Sequence, residues 1–215
     1  MNTEKSMTYK IKEIFLTLQG EGYNTGKAAI FCRFSGCNLW NGITKNKNKA
    51  ICSFCDTDFV GTNGINGGNY NLKQLMKKID AMYKNSVEKR FIVFTGGEPL
   101  LQLDLPLINE LKKYKYTIAI ETNGTIMPPE GIDWICMSPK AEAKTILNYG
   151  NEIKVVYPQN KLSLKKFENL NFEHFYLQPM FNQNYEENVN KTLRFIFKNP
   201  KWKLSLQTHK YLGIR

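Results

Sequence analysis

Short apolar runs of strand-forming residues recur along this chain, and most of them stop at a small cluster of polar residues and glycines. Tyr9 to Leu18 alternates like a strand and ends at Gln19-Gly20-Glu21-Gly22. Ala28 to Phe34 ends at Ser35-Gly36-Cys37, and Arg90 to Phe94 at Thr95-Gly96-Gly97-Glu98-Pro99. Tyr116 to Ile120 runs into Glu121-Thr122-Asn123-Gly124, Trp134 to Met137 into Ser138-Pro139-Lys140, Phe175 to Leu177 into Gln178-Pro179-Met180, and Leu204 to Leu206 into Gln207-Thr208-His209. Ile153 to Tyr157 is a further strand. Segments of helical period lie between them. Asn71 caps one that carries Leu72, Leu75, Met76, Ile79 and Met82 on one face; Leu105 to Tyr114 is another; Ser163 to Asn169 is short; and Tyr185 to Asn199 places Val189, Leu193, Ile196 and Phe197 inward. Such alternation implies a parallel sheet with helices outside it. In sheets of this kind the site lies at the carboxyl ends of the strands, where these clusters fall. About six strands are too few for a full eight-stranded barrel. The expected fold is therefore α/β, an open, partial TIM-like barrel with outer helices, in a single domain over residues 1–215.

No stretch approaches the ~20 apolar residues that span a bilayer, and Met1 to Lys10 is polar with no apolar leader core. A cytoplasmic protein that makes no use of membrane is expected. The net charge of +11 fits a solvated lysine-rich surface, an anionic substrate or an acidic redox partner. Nucleic acid is the weakest of these readings, since no aromatic-basic recognition signature is present.

Five cysteines occur, Cys32, Cys37, Cys52, Cys55 and Cys136. An odd number in a chain of this kind argues against a disulfide framework. Cys32 and Cys136 sit inside apolar strand runs and read as small core residues. Cys37, Cys52 and Cys55 fall in a loop-like stretch, Cys37 to Gly68, with fourteen residues and then two between them. Thiolates suit iron–sulfur clusters and zinc. Structural zinc usually takes four ligands in two short pairs, and here one short pair exists; zinc with Cys32 or a histidine as fourth ligand remains open at this point. Three thiolates on a cubane cluster would leave one iron for a small molecule. The Gly96-Gly97 turn adds backbone amides at a buried strand end, able to approach an amino-acid moiety closely.

The cysteine triad followed by Gly-Gly-Glu-Pro resembles the radical S-adenosylmethionine (SAM) superfamily. The fourteen-then-two spacing departs from the commoner three-then-two. Together with Leu18-Gln19-Gly20-Glu21-Gly22, Phe31 to Trp40, Cys52 to Phe59, Ser138-Pro139-Lys140, Gln178-Pro179-Met180 and Gln207-Thr208-His209-Lys210, the chain resembles the 7-carboxy-7-deazaguanine synthase family, from Leu18 to the C-terminus. The resemblance implies a carbon–nitrogen lyase of 7-deazapurine (queuosine-type) biosynthesis. It would convert 6-carboxy-5,6,7,8-tetrahydropterin to 7-carboxy-7-deazaguanine with loss of ammonia, through a 5′-deoxyadenosyl radical that takes and returns a hydrogen.

Residue by residue, the resemblance implies that Cys37, Cys52 and Cys55 hold a [4Fe-4S] cluster and that Thr57 binds Mg2+. Phe54, Cys55, Asp56, Gly97, Ser138, Pro139, Lys140, Gln178, Pro179, Met180 and Phe181 contact SAM. Leu18, Gln19, Gly20, Glu21, Arg33, Thr95 and Arg215 contact substrate. Gln19 and Glu21 suit the amino-pyrimidinone edge of a pterin, and Arg33 suits its carboxylate. Without the resemblance Thr57 reads as a loop residue, with Asp56 or Asp58 the better cation ligand. Tyr211 to Arg215 is apolar enough to pack inward, and the resemblance places the chain end in the substrate pocket. An electron donor such as flavodoxin and a homodimer complete the implied partners. Two competing readings were an activase of a glycyl-radical protein, which typically has the shorter spacing and extra cysteines, and a zinc-dependent nucleic-acid-binding module. The role of Lys45 to Lys49 is unassigned.

Overall fold

A computed structural model describes residues 8–83 and 90–215. The reading of Met1 to Lys10 therefore falls, for residues 1–7, outside the described residues. The chain divides into two compact units, the first made of residues up to Leu16, Ala29–Ile120 and Pro128–Asp133, the second of Thr17–Ala28, Glu121–Met127 and Trp134–Arg215.

In the first unit the elements are β1 (Tyr9–Leu18), β2 (Ala28–Phe34), β3 (Gly68–Tyr70), α1 (Leu72–Asp80), β4 (Phe91–Gly96), α2 (Leu105–Lys113) and β5 (Thr117–Thr122). Their ladder runs β3-β1-β2-β4-β5. β2, β4 and β5 are parallel, with Cys32 opposite Phe94, Arg33 opposite Thr95 and Phe94 opposite Ile120, whereas β3 is antiparallel to β1. Ile30, Phe34, Phe91, Phe94, Ile118 and Ile120 are fully buried between faces, as parallel strands with crossover helices require. α1 begins where its sequence says it should: the Asn71 side chain accepts from the Gln74 N–H while Gln74 reaches back to the Asn71 N–H. It ends at Asp80, so Met82 lies in the turn beyond. In α2, Asp104 accepts from the Leu107 N–H, and Leu107, Ile108 and Leu111 face the core.

The second unit holds β6 (Trp134–Met137), β7 (Tyr149–Tyr157), α3 (Lys165–Glu168), β8 (Asn171–Pro179), α4 (Tyr185–Lys198), β9 (Lys203–Leu204) and α5 (Thr208–Leu212). β6, β7, β8 and β9 are parallel neighbours in chain order, and Ile153, Val155, Leu177, Phe167 and Trp202 form the core.

Parallel strands with helices between them are the expected class, but the described residues form nine strands rather than about six. β7 and β8 each start four residues earlier than the apolar runs suggest, because Asn151, Glu152, Glu173 and His174 interrupt hydrophobicity without interrupting the ladder. α4 is rotated from its expected face. Its buried residues are Asn188 and Thr192, and Phe197 is 80 % exposed. The Asn188 amide donates to the Met180 carbonyl at 2.8 Å and the Thr192 hydroxyl to the Asn188 carbonyl at 2.7 Å, so satisfied polar groups occupy the inner line. No helix among the described residues is long and apolar enough to cross a membrane.

Candidate active site

In the first unit β2 ends at Phe34, and Gly36 (φ +97°) turns the chain toward Cys37. The Gly36 N–H donates to the Phe59 carbonyl at 3.1 Å, and its carbonyl accepts from the Glu98 N–H at 3.0 Å. The turn after β4 is thereby stitched to the cysteine loop. A Cβ on Gly97 would lie 2.2 Å from the Gly36 carbonyl oxygen and 2.5 Å from the Cys37 Cβ. Glycine is required there because the two backbones touch. Buried Glu98 accepts from the Leu100 N–H at 3.1 Å and fixes the turn from below.

Burial pushes the Cys37 thiol up, the Leu39 and Trp40 N–H groups oppose this, and the charges of Glu98 and Cys55 add to the rise. The Leu39 N–H to Cys37 Sγ distance is 3.4 Å, and the Cys55 thiol donates to the Thr57 carbonyl at 3.9 Å. Cys52 is buried. Among the described residues no group of three or more His, Cys, Asp or Glu closes to metal-holding distance. Cys37, Cys52 and Cys55 lie on one loop, Cys52 buried and the other two half-buried. Three soft thiols beside a glycine turn fit a thiolate-bound cluster and do not fit a hard, oxygen-seeking cation. Cys32, fully buried in β2, and Cys136, buried in β6, are core thiols, both pushed up chiefly by burial.

Elsewhere in this unit Arg33 Nε donates to Glu13 Oε1 at 2.9 Å, with both side chains largely buried. Thr95, its register partner on β4, is buried. Phe54 and Thr57 are half-buried and Asp56 is exposed. Asp58 is held by Lys12 at 2.7 Å, which lowers its carboxyl; the same Lys12 donates to the Val60 carbonyl and to Asn63. Asp58 is therefore committed within the loop.

The second unit carries a buried charge network. Lys154, 3 % exposed on β7, lies 2.6 Å from Glu21 Oε2 and 3.2 Å from Glu121 Oε1. Glu21 Oε1 accepts from Gln178 at 3.1 Å and from Gln207 at 2.8 Å. Gln19 donates to Glu121 at 2.9 Å, and its own carbonyl oxygen accepts from the Glu21 N–H at 3.1 Å. Burial alone would raise the Glu21 carboxyl, but the Lys154 ammonium, the Gln207 amide and the His209 charge outweigh it and bring it to about 2. Lys154 is moved well above its ordinary value: burial works against its charge, and Glu121 and Glu21 overcome it. The glycines on either side of Glu21 fix its approach. A Cβ on Gly20 would meet His209 Nδ1 at 2.3 Å, and one on Gly22 (φ +65°) would meet Glu152 Oε1 at 1.9 Å.

The same unit holds most of the expected SAM contacts. Lys140 Nζ donates to the Ser138 carbonyl at 2.7 Å and to its hydroxyl at 2.8 Å, folding Ser138-Pro139-Lys140 into a closed turn. Gln178 and Pro179 end β8; Phe181 is 49 % exposed, with Lys210 Nζ 4.0 Å above its ring. Gly20 accepts from the Thr208 N–H at 2.9 Å. The Thr17 hydroxyl donates to the carbonyl of Arg215, which seats the chain end beside Leu18 and Gln19. The expected inward packing of Tyr211 to Arg215 does not occur: Tyr211, Leu212 and Ile214 are 64 %, 61 % and 39 % exposed. Hydrogen bonds anchor this segment in place of apolar burial, including Tyr211 to Tyr185 at 2.6 Å.

Sequence reasoning missed Lys154, Glu121 and Gln207. Glu121 and Gln207 stood in strand-end clusters without an assigned role. Lys154 had one usable signal, a charge flanked by Ile153 and Val155 in a strand buried on both faces, where an ion survives only if paired.

The Radical SAM superfamily model matches residues 46–196. A 7-carboxy-7-deazaguanine synthase from Caulobacter vibrioides is 52 % identical over 97 % of this chain and all of its own length. Proteins of the same name from Nitratidesulfovibrio vulgaris and Bacteroides thetaiotaomicron are 48 % and 41 % identical, again over 97 % of this chain and the whole of theirs. A crystal structure of QueE from Escherichia coli superposes with a TM-score of 0.70 at 27 % identity, covering 93 % of this chain and 94 % of that one. On a family model over residues 46–196 and relatives about 50 % identical over nearly the whole chain, the chain belongs to the radical SAM superfamily and, within it, to the 7-carboxy-7-deazaguanine synthase family.

Proposed function

We propose that this enzyme converts 6-carboxy-5,6,7,8-tetrahydropterin to 7-carboxy-7-deazaguanine with loss of ammonia, residues 1–215 serving as one radical SAM domain. The family's cofactors are a [4Fe-4S] cluster and SAM, which when bound supply the one-electron chemistry of the reaction. The observation that carries the substrate reading is the Gln19–Glu21–Glu121 group on its Lys154 anchor. An amino-pyrimidinone edge offers N–H donors beside one carbonyl, and a pair of ionised carboxylates flanked by amides is complementary to it.

Cys37, Cys52 and Cys55 would hold the cluster. Gly97 and the segments Phe54 to Asp56, Ser138 to Lys140 and Gln178 to Phe181 would bind SAM. The Gly97 backbone, bare of side chain, leaves its amide close to Cys37 and suits an amino-acid moiety. Leu18, Gly20, Thr95 and Arg215 line the substrate, and Arg33 orients its carboxylate, with Glu13 holding the guanidinium in place. Thr57 would supply a hydroxyl to a Mg2+ ion whose charge would favour that carboxylate; a single hydroxyl is a weak ligand, so the ion would bind with substrate. An external one-electron donor such as a flavodoxin serves the cluster, and the working form is a homodimer, to be tested by light scattering.

An anaerobic assay of reconstituted protein with the carboxytetrahydropterin, SAM and a reductant, followed by mass spectrometry, tests the activity. A product lighter by ammonia is expected. SAM cleavage with the pterin untouched would overturn the substrate assignment.

A further inference from the structure

Lys154 enters the roles above only as an anchor, although it is the most deeply enclosed cation described in the second unit. A lysine 3 % exposed between two carboxylates at 2.6 and 3.2 Å is a costly arrangement to bury, since ions keep their charge in the interior only when paired. Its neighbours show what the charge is used for. Glu21 is largely filled on the protein side: Oε1 takes the amides of Gln178 and Gln207, and Oε2 takes the ammonium and keeps a second lone pair. Gln178 is in turn held by the Ser205 hydroxyl at 3.1 Å, which also accepts from the Gly22 N–H at 2.9 Å. Glu121 is different. Its Oε1 takes both Lys154 and Gln19, and its side chain is 20 % exposed. Two carboxylates this close to one another, with Glu152 buried nearby on the same strand as Lys154, would share a proton without a cation between them. One would then present O–H, a donor, where a pterin's amino group requires an acceptor.

We propose that Lys154 is a positioning residue that holds Glu21 and Glu121 ionised and side by side, so that the pair presents only acceptor oxygens to the N–H edge of the substrate. The proposal rests on the reading of Glu21 as a substrate contact. The depressed Glu21 carboxyl, near 2, agrees with it, and the other ionisable groups facing the pair are Glu152, the Cys136 thiol and His209.

Equilibrium binding of the carboxytetrahydropterin and of SAM to cluster-loaded protein tests it, with infrared spectra of the carboxyl region. Lys154→Met should weaken pterin binding by ~10-fold or more, as expected for a lost charge-assisted contact. SAM affinity should stay at the wild-type value, and a protonated-carboxyl band absent from wild type should appear at neutral pH. Because the single variant leaves two carboxylates uncompensated, the double variant Lys154→Met/Glu121→Gln, which keeps the wild-type charge of the buried group, is measured beside it. It should regain the melting temperature but not the pterin affinity. Recovery of both together, or a single variant that folds and binds the pterin like wild type, would overturn the proposal and leave Lys154 a purely structural ion. If wild type itself does not bind the pterin, it is the substrate reading that fails, and the positioning role with it.

Discussion

The cysteine loop of the first unit holds its ligands on turns and a short 3-10 helix, Thr44–Lys49, with no buried residue, whereas the charge network of the second is fixed by strands on which every named amide and carboxylate already has a partner. The Cys37 Sγ accepts from the Leu39 N–H at 3.4 Å and the Cys55 thiol donates to the Thr57 carbonyl at 3.9 Å, while Glu21 makes three bonds of 3.1 Å or less before any ligand arrives. The network is preorganised, its ordering cost met during folding. Losses in the first region should therefore be all-or-none and in the second graded.

The sharpest break would come from the cysteines. Cys55→Ala should lose essentially all cluster iron, read by metal analysis and by the visible absorbance, because three sulfurs have no spare. Cys32→Ala should keep its iron and cost only about 1 kcal/mol of stability. Iron retained in the first or lost in the second would redraw the ligand set. Glu21→Gln comes next. It should weaken pterin binding ~10- to 100-fold while sparing SAM. It should also change acid stability in a definite direction. The Glu21 carboxyl lies below its ordinary 4.5, at about 2 in the folded protein, so its stabilising contribution is complete above the higher value and disappears as pH falls through the lower. Denaturant melts at about pH 5 and about pH 3 should show a smaller loss for the variant than for wild type, and equal losses would mean the network does not hold Glu21 charged.

Smaller effects probe the margins of each region. Thr57→Ala should lose most magnesium stimulation and several-fold in turnover with the cluster intact; an unchanged magnesium response would remove Thr57 from the site. Residues added after Arg215 should raise the KM for the pterin a few-fold and leave SAM untouched, since the chain end is seated by the Thr17 hydroxyl two residues from Gln19. A tagged protein with wild-type KM would show the carboxyl terminus to be a bystander.

Much of this was legible beforehand, for physical reasons that differ by position. The strand-end clusters could be read because an apolar run that stops at Gly or Asn marks where backbone leaves the sheet, and Asn71 could be read as a cap because Gln74 completes its box. Lys154 could not, because pairing with Glu21 and Glu121 is a contact across 133 and 33 residues of sequence, respectively, that no local pattern encodes. α4 misled for a related reason. Asn188 and Thr192 look like surface residues until their backbone partners are known, so in the sequence the apolar stripe ending in Phe197 reads as the inner face. Hydrophobic periodicity assigns faces only where the buried line is itself apolar.

The two core cysteines bear on how this protein can be handled. Thiolate, not thiol, reacts with oxidants and alkylating agents, and burial holds Cys32 and Cys136 protonated, the latter with its S–H directed at Glu152 Oε1 at 3.6 Å. Among the cysteines, exposure to air or to a labelling reagent is thus recorded first by the half-buried Cys37 and Cys55 of the loop. An oxidised preparation carries its damage in one segment, reachable by a soluble reductant, while the interior of both units keeps its original chemistry.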